Sequence, residues 1–479
     1  MALRLFNSRS RSLELFVPIE AAEVSIYVCG MTPSWHPHIG HARTFLTFDV
    51  LRRHLMAKGR KATYVQNITD IDDKIIERAA AEHEPWEAIV RRYYGEYEAC
   101  ARRLGLLEPD VSPRATEHVP AIIAMIRGLV ESGAAYETSD GVYFAVERFP
   151  AYGRLSNRQI DELRAGARIA VREEKHDWLD FALWKKQKPG EPAWPSPWGD
   201  GRPGWHIECS ALAREYLGDQ FDIHGGASDL IFPHHENEIA QTESLTAREP
   251  MARIWMHAGL VMVDGQKMSK SLGNFLPLTT LLDRYPAAAI RFLFLQTGYR
   301  KPTNFTEDAV EAAVKGLRGL YAELDALRLR SSNGRPALSG GSSDSAFDDF
   351  EAYLDDDLNT AGALGWLQKT MRGGLVTPTL VDRCLNVLGL PLRGADAGFD
   401  SPSREVRLDE PARRALRELT DDRPASDAAL VERVLALRGA ARTAKDFATS
   451  DKLRAALAAA GISIKDTKDG TDWSLDGHR

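Results

Sequence analysis

The stretches SIYVCG (25–30) and HIGHARTFLTFDVLRRHLMAKG (38–59) decide the fold. The first is short and β-rich. The second places apolar residues three to four apart and ends on Gly59, the signature of an amphipathic helix with its stop. ATYVQNIT (62–69) supplies a second strand, and the residues after IDD (71–73) supply a second helix. Strand, helix, strand in this order makes βαβ units, so the expected fold is α/β, with a doubly wound parallel sheet (Rossmann-like). HIGH, His38–His41, falls where the first strand hands over to the first helix. A helix start attracts phosphate. Two histidines three residues apart can donate hydrogen bonds to charge developing on a triphosphate, and Gly40 lets a flat base approach the backbone.

The chain has 479 residues, 44% of them hydrophobic and 27% charged, enough for two to four domains. No run of eighteen apolar residues occurs, and the opening MALRLFNSRSRSLELF lacks the continuous apolar core of a signal peptide. A cytoplasmic location is the expectation, with no membrane partner. Four cysteines, Cys29, Cys100, Cys209 and Cys384, are too few for a disulfide framework in a chain of this length and suit free thiols or metal ligands. A formal net charge of −7 gives no general basic footprint, so any nucleic-acid contact must be local.

FPHHENEIAQTE (232–243) concentrates histidine and glutamate. If the residues from Pro233 onward are helical, His234 and Glu238 leave one face together. Read alone, HHENE is also an ordinary helix start whose acids favour the positive dipole end. Cys209, after GWHIE, and Cys29, at the end of the first strand, would complete a tetrahedral zinc site of two thiolates, an imidazole and a carboxylate. The position four beyond His235 is Ile239, so this is not the HExxH arrangement of zinc hydrolases. KMSKS (267–271) sits between Gly265 and Gly273 on a loop. Lys267 and Lys270 on a hinged loop can close on a departing pyrophosphate, an interaction that raises turnover more than affinity.

HIGH followed by KMSKS resembles the class I aminoacyl-tRNA synthetases. Together with NITDIDDKII, GRPGWHIECSAL, DIHGGASDLIFPHHENEIAQ and DDDLNTAGAL, the chain is similar to the cysteinyl-tRNA synthetases from about Tyr27 to its C-terminal KDFATSDKLRAALAAAGISIKDTKDGTDW. The resemblance implies zinc, one ion per chain, on Cys29, Cys209, His234 and Glu238. It implies a catalytic role for His38, His41, Lys267 and Lys270. It also implies that Gly30, Thr32, Gly40, Thr69, Trp205, His224 and Asp229 line the amino-acid and nucleotide pocket, with Lys270 on ATP. Between Gly30 and His38 the family has a PTVYD-like segment, whereas this chain reads MTPSWHP: Thr32 is kept, and Ser34 and Trp35 replace a Tyr-Asp pair. In DIHGGAS, Ala227 stands where a third glycine is usual.

The activity implied is cysteine–tRNA ligation: L-cysteine attacks ATP, carried with Mg²⁺, to give cysteinyl-adenylate and pyrophosphate, and cysteine then passes to the terminal ribose of tRNA(Cys). A pocket that reads shape alone separates near-isosteres about a hundredfold, whereas a soft metal prefers a thiolate to a hydroxyl outright. The other readings are a cysteine ligase acting on an amino sugar, a zinc hydrolase and a catalytically silent relic. A monomer is expected. The expected organisation is 1–120 and 201–264 as the two halves of the catalytic domain, 121–200 as an insertion, 265–330 as the KMSKS loop with connecting helices, and 346–391 as a helical bundle. Residues 405–479 would form an anticodon-binding domain, with Arg438, Arg442 and Lys445 along one helix on the tRNA backbone and Trp473 stacking on a base. The segments SSNGRPALSGGSSDS (331–345) and LRGADAGFDSPSRE (392–405) read as linkers, and KQKPGEPAWPSPWGDGRPGWH (186–206) as an irregular loop.

Overall fold

The computed structural model describes residues 2–159, 174–268, 274–332, 343–398, 408–420, 427–467 and 470–475. The chain divides into two compact units, Met1–Gly398 and Phe399–Arg479. The first opens with a hairpin of β1 (Arg4–Asn7) and β2 (Ser12–Leu15). Then come β3 (Glu23–Val28), α1 (Ile39–Ala57) and β4 (Lys61–Gln66), the βαβ unit expected from the sequence. Ile26, Tyr27 and Val28 are all fully buried, because helices and the insertion cover both sheet faces. Helices α2 (Asp73–Glu82), α3 (Trp86–Arg103) and α4 (Val119–Glu131) follow. A four-stranded antiparallel sheet comes next: β5 (Ala135–Thr138), β6 (Gly141–Phe144), β7 (Phe181–Lys186) and β8 (Gly201–Pro203). The chain then forms α5 (Trp205–Leu217), β9 (Phe221–Ala227), α6 (Glu236–Thr246) and β10 (Ala252–Ala258).

The main sheet is parallel, in the order β10-β9-β3-β4. From β3 the chain winds outward one way to β4, and after the insertion it returns on the other side to β9 and β10. Such a reversal leaves a crevice beyond the carboxyl ends of the two central strands, where ligands of open α/β sheets bind. Cys29 and Gly30 leave β3 into that crevice, and the last residues of β9 reach it from beside them.

The segment 186–206 is more regular than the sequence reading allowed. Gly201–Pro203 pairs with β7, and Trp205 begins α5. The prolines and glycines break only the middle, because the edge strand β8 needs few ladder bonds, and Pro203 ends it. Beyond β10, strands β11 (Val261–Val263), β12 (Gln266–Lys267) and β13 (Thr303–Phe305) form a small sheet. Helices α7 (Leu278–Arg284), α8 (Ala287–Leu295), α9 (Glu307–Ser332), α10 (Ser343–Asp355), α11 (Thr360–Arg372) and α12 (Pro378–Leu388) complete the unit. Arg291 locks α8 to the rest. Its side chain is buried, pairs with Asp49 of α1 and donates from Nε to the carbonyl of Leu388 at 2.7 Å.

The second unit holds α13 (Glu410–Arg417), α14 (Asp427–Thr443), α15 (Phe447–Ala459) and a hairpin of β14 (Ile462–Thr467) with β15 (Gly470–Leu475). Here two expectations are corrected. Arg438 is 3% exposed, because it continues the buried stripe Leu430, Val431, Val434 of α14 at helical spacing, so it belongs to the core face. Lys445 lies past the helix end in the left-handed region at φ 58°, and of the three basic residues only Arg442 is exposed on the helix itself. The Trp473 side chain lies outside the described residues; its backbone pairs with Ile464. Among the described residues no helix is long and apolar enough to cross a membrane.

Candidate active site and metal-ligand cluster

Four elements deliver the cluster. Cys29 follows β3 directly, Cys209 lies one turn into α5, His234 sits in a wide turn, Ile231–His235, and Glu238 lies in the first turn of α6, which continues from it. All four are buried. The two sulfurs are 3.7 Å apart, Cys29 Sγ is 3.5 Å from Glu238 Oε1, and His234 Nε2 is 3.1 Å from the same oxygen. One ligand atom from each of the four can be chosen so that all lie within 4.8 Å of one another. A second set, Cys29, His224, His235 and Glu238, meets the same criterion.

Four more histidines surround this cluster, and of these the sequence singles out only His224. His206 Nδ1 meets His234 Nδ1 at 2.9 Å, which turns the His234 Nε2 edge toward Glu238. His235 Nε2 is 3.2 Å from Cys29 Sγ, and its Nδ1 meets His257 Nε2 at 2.7 Å. His224, expected in the pocket lining, is fully buried behind the cluster, with Nε2 2.8 Å from Glu238 Oε2 and its ring stacked on Trp255. His206 and His257 come from α5 and β10, so no local spacing announces them.

Burial sets the charge state. It pushes the Cys29 thiol well up, with Cys209 adding to the effect, and raises the Cys209 thiol as well. It brings His206, His234 and His257 down to about 3, leaving neutral imidazoles with lone pairs to give. Burial also opposes ionisation of Glu238, but the facing His224 and His234 outweigh it and hold that carboxyl below its ordinary value.

The HIGH residues form a reciprocal cap on α1. His38 Nδ1 accepts from the Gly40 N–H at 3.1 Å, and His41 Nδ1 accepts from the His38 N–H at 3.1 Å. The rings stack at 3.8 Å. With both Nδ1 atoms accepting, each neutral ring carries its hydrogen on Nε2, so each presents a donor. At Gly40 the atoms nearest a would-be Cβ are Nδ1 and Cε1 of His38, at 2.9 and 3.0 Å, so the histidine ring itself demands the glycine.

Lys267 ends β12, its side chain outside the described residues, and Lys270 lies outside them altogether. Both shoulders of that stretch reach HIGH: Met268 Cε lies 3.9 Å from the Cβ position of Gly40, and the Phe275 ring packs edge-on against His38 at 5.5 Å.

Among the remaining pocket residues, the Gly30 N–H donates to Asn67 Oδ1 at 2.8 Å, and Asn67 Nδ2 donates to the buried Thr69 hydroxyl at 3.1 Å. Trp205 stacks on His234 with centroids 4.4 Å apart. Thr32 is half-buried, and Asp229 is exposed on the turn after β9. Trp35, from the atypical MTPSWHP segment, carries the Arg78 guanidinium 3.7 Å above its ring and packs on Tyr93, which docks the segment on α2 and α3. A Cβ on Gly30 would fall 1.6 Å from the Asn67 carbonyl oxygen. Gly30→Ala is therefore expected to cost about 1–3 kcal/mol of stability by overpacking, read from urea unfolding; an unchanged midpoint would show that the Asn67 backbone yields freely.

Comparison with known proteins places the chain. Residues 15–315 match the model of the class I (C) tRNA synthetase catalytic domain, and residues 427–473 match the cysteinyl-tRNA ligase anticodon binding domain. The cysteine–tRNA ligase of Chromohalobacter salexigens is 44% identical over 99% of this chain and 100% of its own length. That of Dichelobacter nodosus is 45% identical over 98% of this chain and 99% of its own. Among solved structures, Mycobacterium tuberculosis methionyl-tRNA synthetase in complex with methionyl-adenylate is similar at TM-score 0.57 and 15% identity, covering 77% of this chain and 88% of that one; this likeness concerns the fold alone. The chain is a ligase that belongs to the cysteine–tRNA ligase family of class I tRNA synthetases.

Proposed function

We propose that this chain activates L-cysteine with Mg²⁺-ATP and transfers it to tRNA(Cys), and that Cys29, Cys209, His234 and Glu238 hold a zinc ion that reads the substrate's sulfur. The observation that carries the metal is the donor set. A tetrahedral site with metal–sulfur bonds of about 2.3 Å has a sulfur–sulfur edge of about 3.8 Å, and the two sulfurs stand 3.7 Å apart. Two thiols, a neutral imidazole and a carboxylate, all buried, suit zinc better than a hard cation. The alternative set keeps only one thiol and uses His224, whose Nε2 already faces Glu238 Oε2. Zinc bound there would supply a soft Lewis acid that ionises the substrate thiol and favours it over a hydroxyl.

The remaining work falls to the chain's own groups. The cysteine carboxylate is itself the nucleophile toward the α-phosphate, so no general base is needed. His38 and His41 direct their Nε2–H donors at the triphosphate, and Gly30, Thr69 and Trp205 position the amino acid, with Asp229 at the rim. Lys267 and Lys270 neutralise the departing pyrophosphate. The match of the anticodon-binding domain at 427–473 favours tRNA over an amino sugar as acceptor.

The test is cysteine-dependent exchange of pyrophosphate into ATP, set against serine. Exchange with cysteine alone, and without tRNA, is expected; equal rates with serine would refute the sulfur-reading site. Lys270→Ala should slow adenylate formation by about a hundredfold with little change in cysteine affinity. Rapid-quench kinetics separates the two, and small equal effects would remove Lys270 from the transition state. Removing 399–479 should leave exchange intact while tRNA charging falls and loses salt dependence. Charging at the full rate by the shortened chain would refute a tRNA role for that unit.

A further inference from the structure

On the face of β4 away from the Cys29–Cys209 cluster, and against α1, lies a cavity of about 360 Å³, within the range of small-ligand sites. Gln66 and Ile68 line it, while Asn67 and Thr69, which alternate with them, belong to the active-site side. Phe45, Tyr94, Tyr97 and Leu106 make its walls apolar and aromatic.

The polar groups lining it are donor-rich. Arg52 is 7% exposed; its guanidinium donates to the Glu108 carbonyl at 2.6 Å and to Asp110 Oδ2 at 2.9 Å, and its Nε has no hydrogen-bond partner. The Tyr97 hydroxyl accepts from Gln66 Nε2 at 2.9 Å, which leaves its own hydrogen to give, and burial pushes that phenol up so that it stays protonated. Arg43 Nε is likewise buried and unpartnered, but the cavity beside it holds only about 20 Å³. Arg52 alone of the two opens on ligand-sized space. Its charge is offset by Asp110, and Asp49, also in the lining, is paired with Arg53 and Arg291. At the edge, exposed Glu98 and Glu108 oppose Arg102 and Arg114. The lining thus asks for no net charge.

We infer that this cavity is a second small-molecule site, for a neutral planar heteroaromatic ligand whose acceptor atoms meet Arg52 Nε–H and Tyr97 O–H, and that its occupancy is felt at the active site through β4. The route is short. Gln66 and Ile68 flank Asn67, whose side chain fixes both the Gly30 N–H and the Thr69 hydroxyl. The coupling, unlike the binding, rests on the proposed synthetase reading.

The probe is nicotinamide, titrated into the full chain with the nucleotide pocket held by a non-hydrolysable ATP analogue, and followed by ligand-observed NMR and calorimetry. Binding with a Kd on the order of 1 mM is expected for a ligand of this size. Tyr97→Phe keeps the shape and removes one donor, so affinity should fall about fivefold. Ala101→Trp fills the cavity from α3 and should abolish binding. Absence of binding to the wild type, or binding that neither variant alters, overturns the site. If Ala101→Trp fails to fold, Tyr97→Phe decides alone. Saturating nicotinamide should change the cysteine-dependent exchange rate at least about twofold; a bound ligand with no effect on a measurable exchange overturns the coupling. A chain that exchanges no pyrophosphate in any condition overturns the synthetase reading instead, and the binding result stands apart from it.

Discussion

Cys209→Ala is expected to cost the chain its metal, lowering zinc affinity by on the order of a hundredfold or more, and to remove cysteine binding with it. The pH dependence makes the experiment sharper than occupancy alone. Burial raises both thiols, so at neutral pH the metal-free cluster carries both thiol protons. His234, held at about 3, is already neutral, and Glu238 lies below its ordinary value, so neither loses a proton on binding near neutrality. Zinc must therefore expel two protons, and its affinity should fall as pH falls, by about a hundredfold per pH unit. Cys209→Ala should reduce that slope to about tenfold per unit. If the metal instead sat on Cys29, His224, His235 and Glu238, Cys209→Ala would leave its affinity unchanged. Competitive titration with a zinc chelator across about pH 6–8 separates the two ligand sets, since the thiols stay protonated over that range.

His41→Asn is expected to slow adenylate formation by about 100- to 1,000-fold while leaving the fold nearly as stable as before. The proposed role gives the ring two jobs that asparagine divides. Its Nδ1 accepts the His38 N–H and so closes the cap of α1. An asparagine oxygen can take over that acceptance, but its amide N–H donors stop short of the position of Nε2, so the donor on the far side of the ring is lost. His41→Ala should lose both and unfold about 1 kcal/mol more easily as well. Pre-steady-state adenylate formation and urea unfolding, measured on both variants, give the comparison. An asparagine variant that forms adenylate at the wild-type rate would confine His41 to capping.

The βαβ opening was legible because strand and helix periods are local properties: side chains two or three to four residues apart share a face wherever the segment lies. HIGH was legible as a helix start for a similar reason, lying between a strand pattern and a helix pattern, whereas residues 269–271 of KMSKS lie outside the described residues. The same locality explains the errors. Its charge points Arg438 outward, although its spacing from Leu430, Val431 and Val434 places it on the buried stripe. The prolines of 186–206 argue for a loop, although an edge strand tolerates them.

Local pattern was enough for the doubly wound sheet, the family, and the pairing of His234 with Glu238, because a four-residue helical step brings those two side chains to 3.1 Å. Tertiary structure decided the rest. That Cys29 and Cys209, 180 residues apart, stand with sulfurs 3.7 Å from each other depends on β9 returning beside β3 after the insertion. That His206, His224, His235 and His257 close around them depends on α5, β9, the Ile231–His235 turn and β10 meeting at one sheet end. Burial then fixed the protons of several of these groups, holding His206, His235 and His257 neutral and the thiols protonated, and burial belongs to the packed assembly, not to any stretch of sequence.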